Sequence, residues 1–277
     1  MAQTWVLDWQ EAAGAGPARC GGKGWNLGRL ARYGFPVPAG GVLVADAYTR
    51  FMAAPPLQAL PAALADATAQ EAASPRVGER LAELRAAIAG QDLPAEVAGA
   101  VRAFLASAGL LETALAVRSS AGAEDSATAS FAGVHQSFLQ VEGAEQVLRA
   151  VKGCYASLWT PQALAYRRRL GLADHEAACA VVFCAMVSAR GADGPLTAGV
   201  AFSCDPRSGR RDLVTVSAGV GLADDLVAGR TNPEEIAVAL ALGRLRLARR
   251  QGAALPVLSD ERVLQLARLT LRVHWAL

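Results

Sequence analysis

The chain is poor in lysine. Of its 277 residues only Lys23 and Lys152 carry an ammonium group, against 25 arginines. Hydrophobic residues make up 53% of the chain. No apolar run is long enough and free enough of charge to span a bilayer, so a membrane partner is not expected. The N-terminal Met-Ala-Gln-Thr-Trp-Val-Leu-Asp lacks the basic-then-apolar order of a secretion signal. Five cysteines, Cys20, Cys154, Cys179, Cys184 and Cys204, form no Cys-x-x-Cys pair. Neither a zinc site nor a disulfide framework is indicated, and reduced thiols in a cytoplasm are expected. Net charge is +2 with acids and bases interspersed, which gives no stripe for nucleic acid. Arg167, Arg168 and Arg169 read as a solvated helix face.

What the chain does have is a stretch of very small side chains between strand-like flanks. Leu115 and Val117 alternate with alanines, as a buried strand would. From Ser119 to Gly133, all but Glu124, Asp125 and Phe131 are Gly, Ala, Ser or Thr. Such side chains cannot build a core, but they let a ligand approach backbone N–H groups and hydroxyls. Arg118 stands at the mouth of this stretch, and its planar fork of donors suits a phosphate chain. Alternation resumes through Phe138 and Leu139, so the stretch reads as a loop between two strands. A flexible Ala/Ser linker would have no need of Arg118, Glu124, Asp125 and Phe131.

One of the two lysines falls among glycines. Residues 4–9 read as a strand, and Cys20-Gly-Gly-Lys-Gly-Trp-Asn-Leu-Gly as a turn entering a helix with Leu27, Leu30 and Ala31 on its apolar side. Gly21, Gly22 and Gly24 would let amides approach an anion, and Lys23 adds a point charge. This is not a Walker loop, because no Ser or Thr follows the lysine. Alone it reads as a helix start with a solvated lysine; beside Arg118 it reads as a second phosphate contact.

The remainder is mostly scaffold. Gly34-Phe-Pro-Val-Pro-Ala-Gly connects to a strand at 42–44, and residues 54–75 read as a surface insertion. Val77, Leu81, Leu84 and Ile88 have helical spacing, as do Val97, Val101, Phe104 and Leu105 after Pro94. Val147, Leu148, Val151, Cys154, Tyr155 and Leu158 share a helix face, with Cys154 in the core. Thr160-Pro161 starts the next helix. Residues 178–187 form a continuous apolar run that reads as a buried central strand, with 199–203 as its expected partner and a further strand at 213–216. Asp224 and Asp225 follow a second glycine-containing loop, where they could face a ligand or cap a helix. From Ile236 to Leu242 period-two spacing conflicts with alanine's helix preference. Ser259 caps a last helix.

The run Ala-Val-Arg-Ser-Ser…Glu-Asp…Ala-Ser-Phe-Ala-Gly, residues 116–133, resembles the ATP-binding domain of phosphoenolpyruvate synthase, pyruvate phosphate dikinase and rifampicin phosphotransferase. Residues 21–40 and the Cys154-x-Ala-Ser-Leu-x-Thr160 segment are similar to the same family. The resemblance implies an α+β, ATP-grasp-like fold of two lobes, 1–112 and 113–277, with ATP between them. It also implies strands turning near Gly243. It makes Lys23 and Arg118 the catalytic phosphate contacts, with Ser119, Ser120, Gly133 and Ser137 lining the site. Cys184 stands near the adenine where the family has glutamine, and Asp224 ends a Gly-Leu-Ala-Asp that replaces Gly-Leu-Gly-Glu. Mg²⁺ is expected beside ATP, but no metal ligand is identifiable. Val273-His274-Trp275-Ala276 stands where the family has Ile-Glu-Trp-Ala and its metal-holding acids.

Two readings follow from this resemblance. In one, the chain is the ATP-binding component of a phosphotransferase that passes a phosphoryl group to a histidine on a partner domain or chain. In the other, it is a degenerate module with a regulatory or structural role. Lys23, Arg118 and the small-residue loop point to the first; Cys184, Ala223 and the C-terminal segment point to the second.

Overall fold

A computed structural model describes residues 3–121, 137–174, 177–187, 196–227, 229–241, 244–252 and 256–277. It is an α+β protein with two antiparallel sheets. The chain divides into compact units at 1–186 and 187–277.

The first unit is built on five strands in the order β1-β2-β5-β3-β4: β1 (Val6–Asp8), β2 (Gly40–Leu43), β3 (Leu115–Ala121), β4 (Ser137–Val141) and β5 (Cys179–Ala185). The apolar run thus forms the central strand, joined to β2 on one side and to β3 on the other. A strand buried on both faces can be apolar throughout, which is why no alternation marks it. The expected boundary near 112 falls inside this unit, because β3, β4 and β5 complete the sheet that β1 and β2 begin. Residues 199–203 do not partner β5; 199–202 lie in the second unit's sheet and Ser203 follows them.

Helices cover both faces. Asp8 caps α1 (Trp9–Ala15) through a reciprocal box with Glu11, bonded at 2.8 and 3.0 Å. Next come α2 (Pro17–Arg32), α3 (Ala45–Met52) and α4 (Pro55–Gln58), then α5 (Pro75–Gly90) and α6 (Ala95–Ser107). The unit's last helices are α7 (Ala144–Ser157) and α8 (Pro161–Arg169). Thr160 caps α8 as expected, accepting the Ala163 amide at 3.2 Å. α2 lies on the sheet face that bears Val42 and Ser120, where Gly24 and Gly21 come close. α7 lies on the other face, where Gly153 meets the Phe138 ring.

Two expectations about the surface are corrected here. Residues 54–75 form α4 and two 3₁₀ turns, Pro61–Leu64 and Glu71–Ala73, that bury Leu57, Leu64 and Ala72. The arginines of α8 are not all solvated. Arg167 is 3% exposed, with its guanidinium 4.9 Å from the centre of the Trp159 ring and 3.5 Å from Asp174. Arg168 pairs with Asp174 at 2.6 Å and donates to the carbonyls of Leu64 and Ala67 at 2.9 and 2.8 Å. Arg168 thus ties this segment to α8 through two of its carbonyls.

The second unit is a meander in the order β6-β7-β8-β9: β6 (Thr197–Phe202), β7 (Leu213–Val220), β8 (Glu234–Ala241) and β9 (Arg244–Gln251). The period-two run of Ile236 to Leu240 is therefore a strand, and β8 pairs antiparallel with β9. The short α9 (Ala223–Val227) follows β7, and α10 (Asp260–Ala276) covers one sheet face. Val263 and Ala267 of α10 pack on Val214, Val216, Ile236 and Val238. Ser259 caps α10, accepting the Arg262 amide at 3.3 Å. Glu234 is buried, and the Arg250 guanidinium and the amides of Val257 and Leu258 hold its carboxylate. A buried carboxylate requires such partners. Among the described residues no helix is long and apolar enough to cross a membrane.

Candidate functional site

Gly21 decides the course of α2. Its φ of 64° breaks the helical path, and a Cβ there would lie 2.1 Å from the Ser120 carbonyl oxygen. Glycine alone meets both demands. The helix restarts at Gly22, with Lys23 in its new first turn. The expected turn is thus a one-residue kink inside a longer helical stretch.

The restarted helix needs a capping acceptor, and glycine has none to offer. Ser120 supplies it from across the fold. Its Oγ accepts the Gly24 amide at 3.1 Å and donates to the Cys20 carbonyl at 3.0 Å. Ser120 is fully buried. Its hydroxyl and the Gly24 amide are therefore committed to each other, not presented to an anion as the sequence suggested. Gly24 itself is close-packed, since a Cβ would come 2.8 Å from the Val42 side chain.

Ser119 is buried too. Its backbone hydrogen-bonds the thiol of Cys154 on α7. Burial pushes that thiol up to about 12, partly offset by the nearby charge of Lys23. Lys23 thus lies close to the segment of β3 that Ser119 and Ser120 occupy.

Arg118, one residue earlier on β3, is exposed. It faces Ser137 across the ladder, and its Nε donates to the Ser137 Oγ at 3.3 Å. Its charge is also felt by Cys184 on β5, which stands opposite Ala116. Burial holds the Cys184 thiol above its ordinary value, with Arg118 opposing that shift. Cys184 is therefore a neutral, weak donor at neutral pH.

Arg118 faces Ser137 on β4, Cys184 stands two ladder positions away on β5, and Ser120 seats the helix start that bears Lys23 against the same strand. Arg118 offers a forked cation there beside the exposed Ser137 hydroxyl. That arrangement favours an anion with several oxygens. Asp224 lies on α9 in the second unit, 3.7 Å from Arg230, which pairs with Asp225 at 2.7 Å. Gly133, with Glu124, Asp125 and Phe131, lies outside the described residues. Among the described residues no group of three or more His, Cys, Asp or Glu could hold a metal ion. His274 lies on α10, its Nδ1 3.3 Å from the Ser203 hydroxyl.

Residues 18–255 match the family model described as the pyruvate phosphate dikinase AMP/ATP-binding domain. The chain belongs to that family. All eight candidate residues fall within the matched range, whereas α10 lies beyond it. The chain is 41% identical over 236 residues to a rifampicin phosphotransferase of Streptomyces sviceus, which covers 84% of this chain and 26% of the relative. A second rifampicin phosphotransferase, from a Streptomyces species, is 38% identical over 295 residues, 97% of this chain and 33% of the relative. A phosphoenolpyruvate synthase of Aeropyrum pernix is 34% identical over 242 residues, 84% of this chain and 28% of the relative. This pyruvate phosphate dikinase-type domain thus spans between a quarter and a third of these three relatives.

Proposed function

We propose that this chain is the ATP-binding module of a phosphotransferase with an ATP-grasp-like fold, in which Lys23 and Arg118 hold the nucleotide's phosphates. The observation that carries this is the Ser120 hydroxyl bridging Cys20 and Gly24, which seats the helix start bearing Lys23 against the strand bearing Arg118. Phosphoryl transfer asks the protein chiefly for positioning and for charge opposite the phosphate oxygens. Arg118 supplies a fork, Lys23 a compact charge and Ser137 a hydroxyl. The acceptor we propose is a neutral histidine imidazole on a separate domain or chain.

Mg²⁺ is the ion the family resemblance implies, and it wants carboxylate and other hard oxygen ligands. Among the described residues no acidic cluster assembles, and Asp224 and Asp225 are engaged by Arg230. These donors do not fit the ion. This same observation favours a second reading, a module that binds nucleotide without transferring phosphate.

Calorimetric titration of ATP, with and without Mg²⁺, tests the proposal. Lys23→Ala and Arg118→Ala should each weaken binding about tenfold or more, since hydrogen bonds to charged groups contribute roughly 1.5–3 kcal/mol. Undetectable binding by the wild type, or variants that bind equally well, would remove the phosphate reading. Affinity indifferent to Mg²⁺ would favour the non-transferring module.

A further inference from the structure

β3 and β4 do not pair evenly. Leu115 faces Val141, yet two residues on, Val117 faces Phe138 and Arg118 faces Ser137. β4 takes three steps where β3 takes two. The extra residue is accommodated at Gln140, whose φ of 56° makes it the one non-glycine in the left-handed region among the described residues. This is a β-bulge of the kind that normally prefers glycine.

The bulge changes which side chains face where. Val141 and Phe138 are an odd number of positions apart, so on an even strand they would point to opposite faces. With the bulge they pair with Leu115 and Val117, which are both buried, and the Phe138 ring lies against Gly153 of α7. An even ladder continued from Leu115–Val141 would set Phe138 opposite Arg118 and turn Ser137 toward α7.

We infer that the Gln140 bulge is what presents the Ser137 hydroxyl, instead of the Phe138 ring, to Arg118, which makes Gln140 a positioning residue for the anion site. Its relevance to ligand binding rests on the reading of Arg118 as a phosphate-binding group. Gln140 is exposed, so its substitution leaves the core intact.

Cysteine cross-linking reads the register without any nucleotide. In a Cys184→Ser background, Arg118→Cys is combined with either Ser137→Cys or Phe138→Cys. Side chains that face each other can close a disulfide, and those on opposite faces cannot. The 118/137 pair should close and the 118/138 pair should not. Adding Gln140→Val, whose branched side chain resists positive φ, should lower closure at 137 and raise it at 138. Adding Gln140→Gly should leave the pattern unchanged. In chains that keep Arg118, Gln140→Val should weaken ATP binding about fivefold. Gln140→Gly should not, nor should deletion of Gln140, which keeps 118 opposite 137 on an even strand. A Gln140→Val chain with wild-type cross-linking overturns the inference, as does a deletion that binds ATP as poorly as the valine variant. A wild type that fails to bind ATP strikes only the phosphate reading, because the cross-link pattern stands by itself.

Discussion

The Ser120 hydroxyl caps Gly24 from 96 residues away, 3.1 Å from its amide. By also donating to the Cys20 carbonyl at 3.0 Å it brackets Lys23. It stands two residues along β3 from Arg118, about 7 Å at strand spacing. One buried hydroxyl therefore couples the two proposed phosphate-binding cations.

Ser120→Ala should destabilise the first unit by about 1–3 kcal/mol, because it removes a cap and leaves a buried amide and carbonyl unpaired. Urea unfolding measures this. The more telling readout is a double-mutant cycle on ATP affinity. Lys23→Ala should cost less in the Ser120→Ala background, with a coupling of about 1 kcal/mol. Strict additivity would mean that Ser120 has no part in placing Lys23.

Gly21→Ala should cost roughly 2–4 kcal/mol, combining the left-handed penalty with a collision at the Ser120 carbonyl. Gly14→Ala is the control. That glycine is exposed within α1 and has no heavy atom near a Cβ position, so alanine there should stabilise by about 0.5–1 kcal/mol. Thermal melting of the two variants should move in opposite directions.

Arg168→Ala should release residues 54–75, since it removes the donors to the Leu64 and Ala67 carbonyls and leaves Asp174 with only the longer contact to Arg167. The expected loss is about 2–4 kcal/mol, below that of a fully dry pair because both side chains keep some solvent contact. Limited proteolysis should show new cleavage between 54 and 75. Unchanged digestion would mean that Leu57 and Leu64 hold the segment unaided.

Alkali should weaken the fold through its buried thiols. Burial raises Cys20 from 9.0 to about 11, and Cys154 from 9.0 to about 12. Their folded values exceed their unfolded ones, so this stabilisation is complete below pH 9 and is lost as pH rises from 9 through 11 to 12. Cys154→Ala should be less stable at pH 8 but lose less between pH 9 and 11. Parallel urea midpoints for the two chains across that range would contradict it.

Local features of this fold were legible in sequence because their causes are local. Thr160 and Ser259 announce helix starts, and the apolar run of 178–187 is long enough to declare a central strand. Lys23 and Arg118 stood out through scarcity and surroundings. What was hidden depends on partners distant in the chain. Nothing beside Ser120 announces that it caps a helix near residue 24. Arg167 looks solvated until Trp159 and Asp174 enclose it. The assignment of 199–203 to β5 failed because strand pairing is chosen by the sheet, not by the order of strands. Gln140 carries no signature at all, since glycine is the usual residue for its conformation.

The central place of β5 sets an order of events during synthesis. β2 and β3 share no hydrogen-bonded edge; each is zipped to β5, which is the last strand of its sheet to be made. A nascent polypeptide that has already extruded residues 23 and 118 still lacks the strand that joins their two halves. Only when residue 185 clears the ribosomal tunnel can the halves close, so the chain must spend that interval with two unsealed sheet edges, a window in which a chaperone would find it.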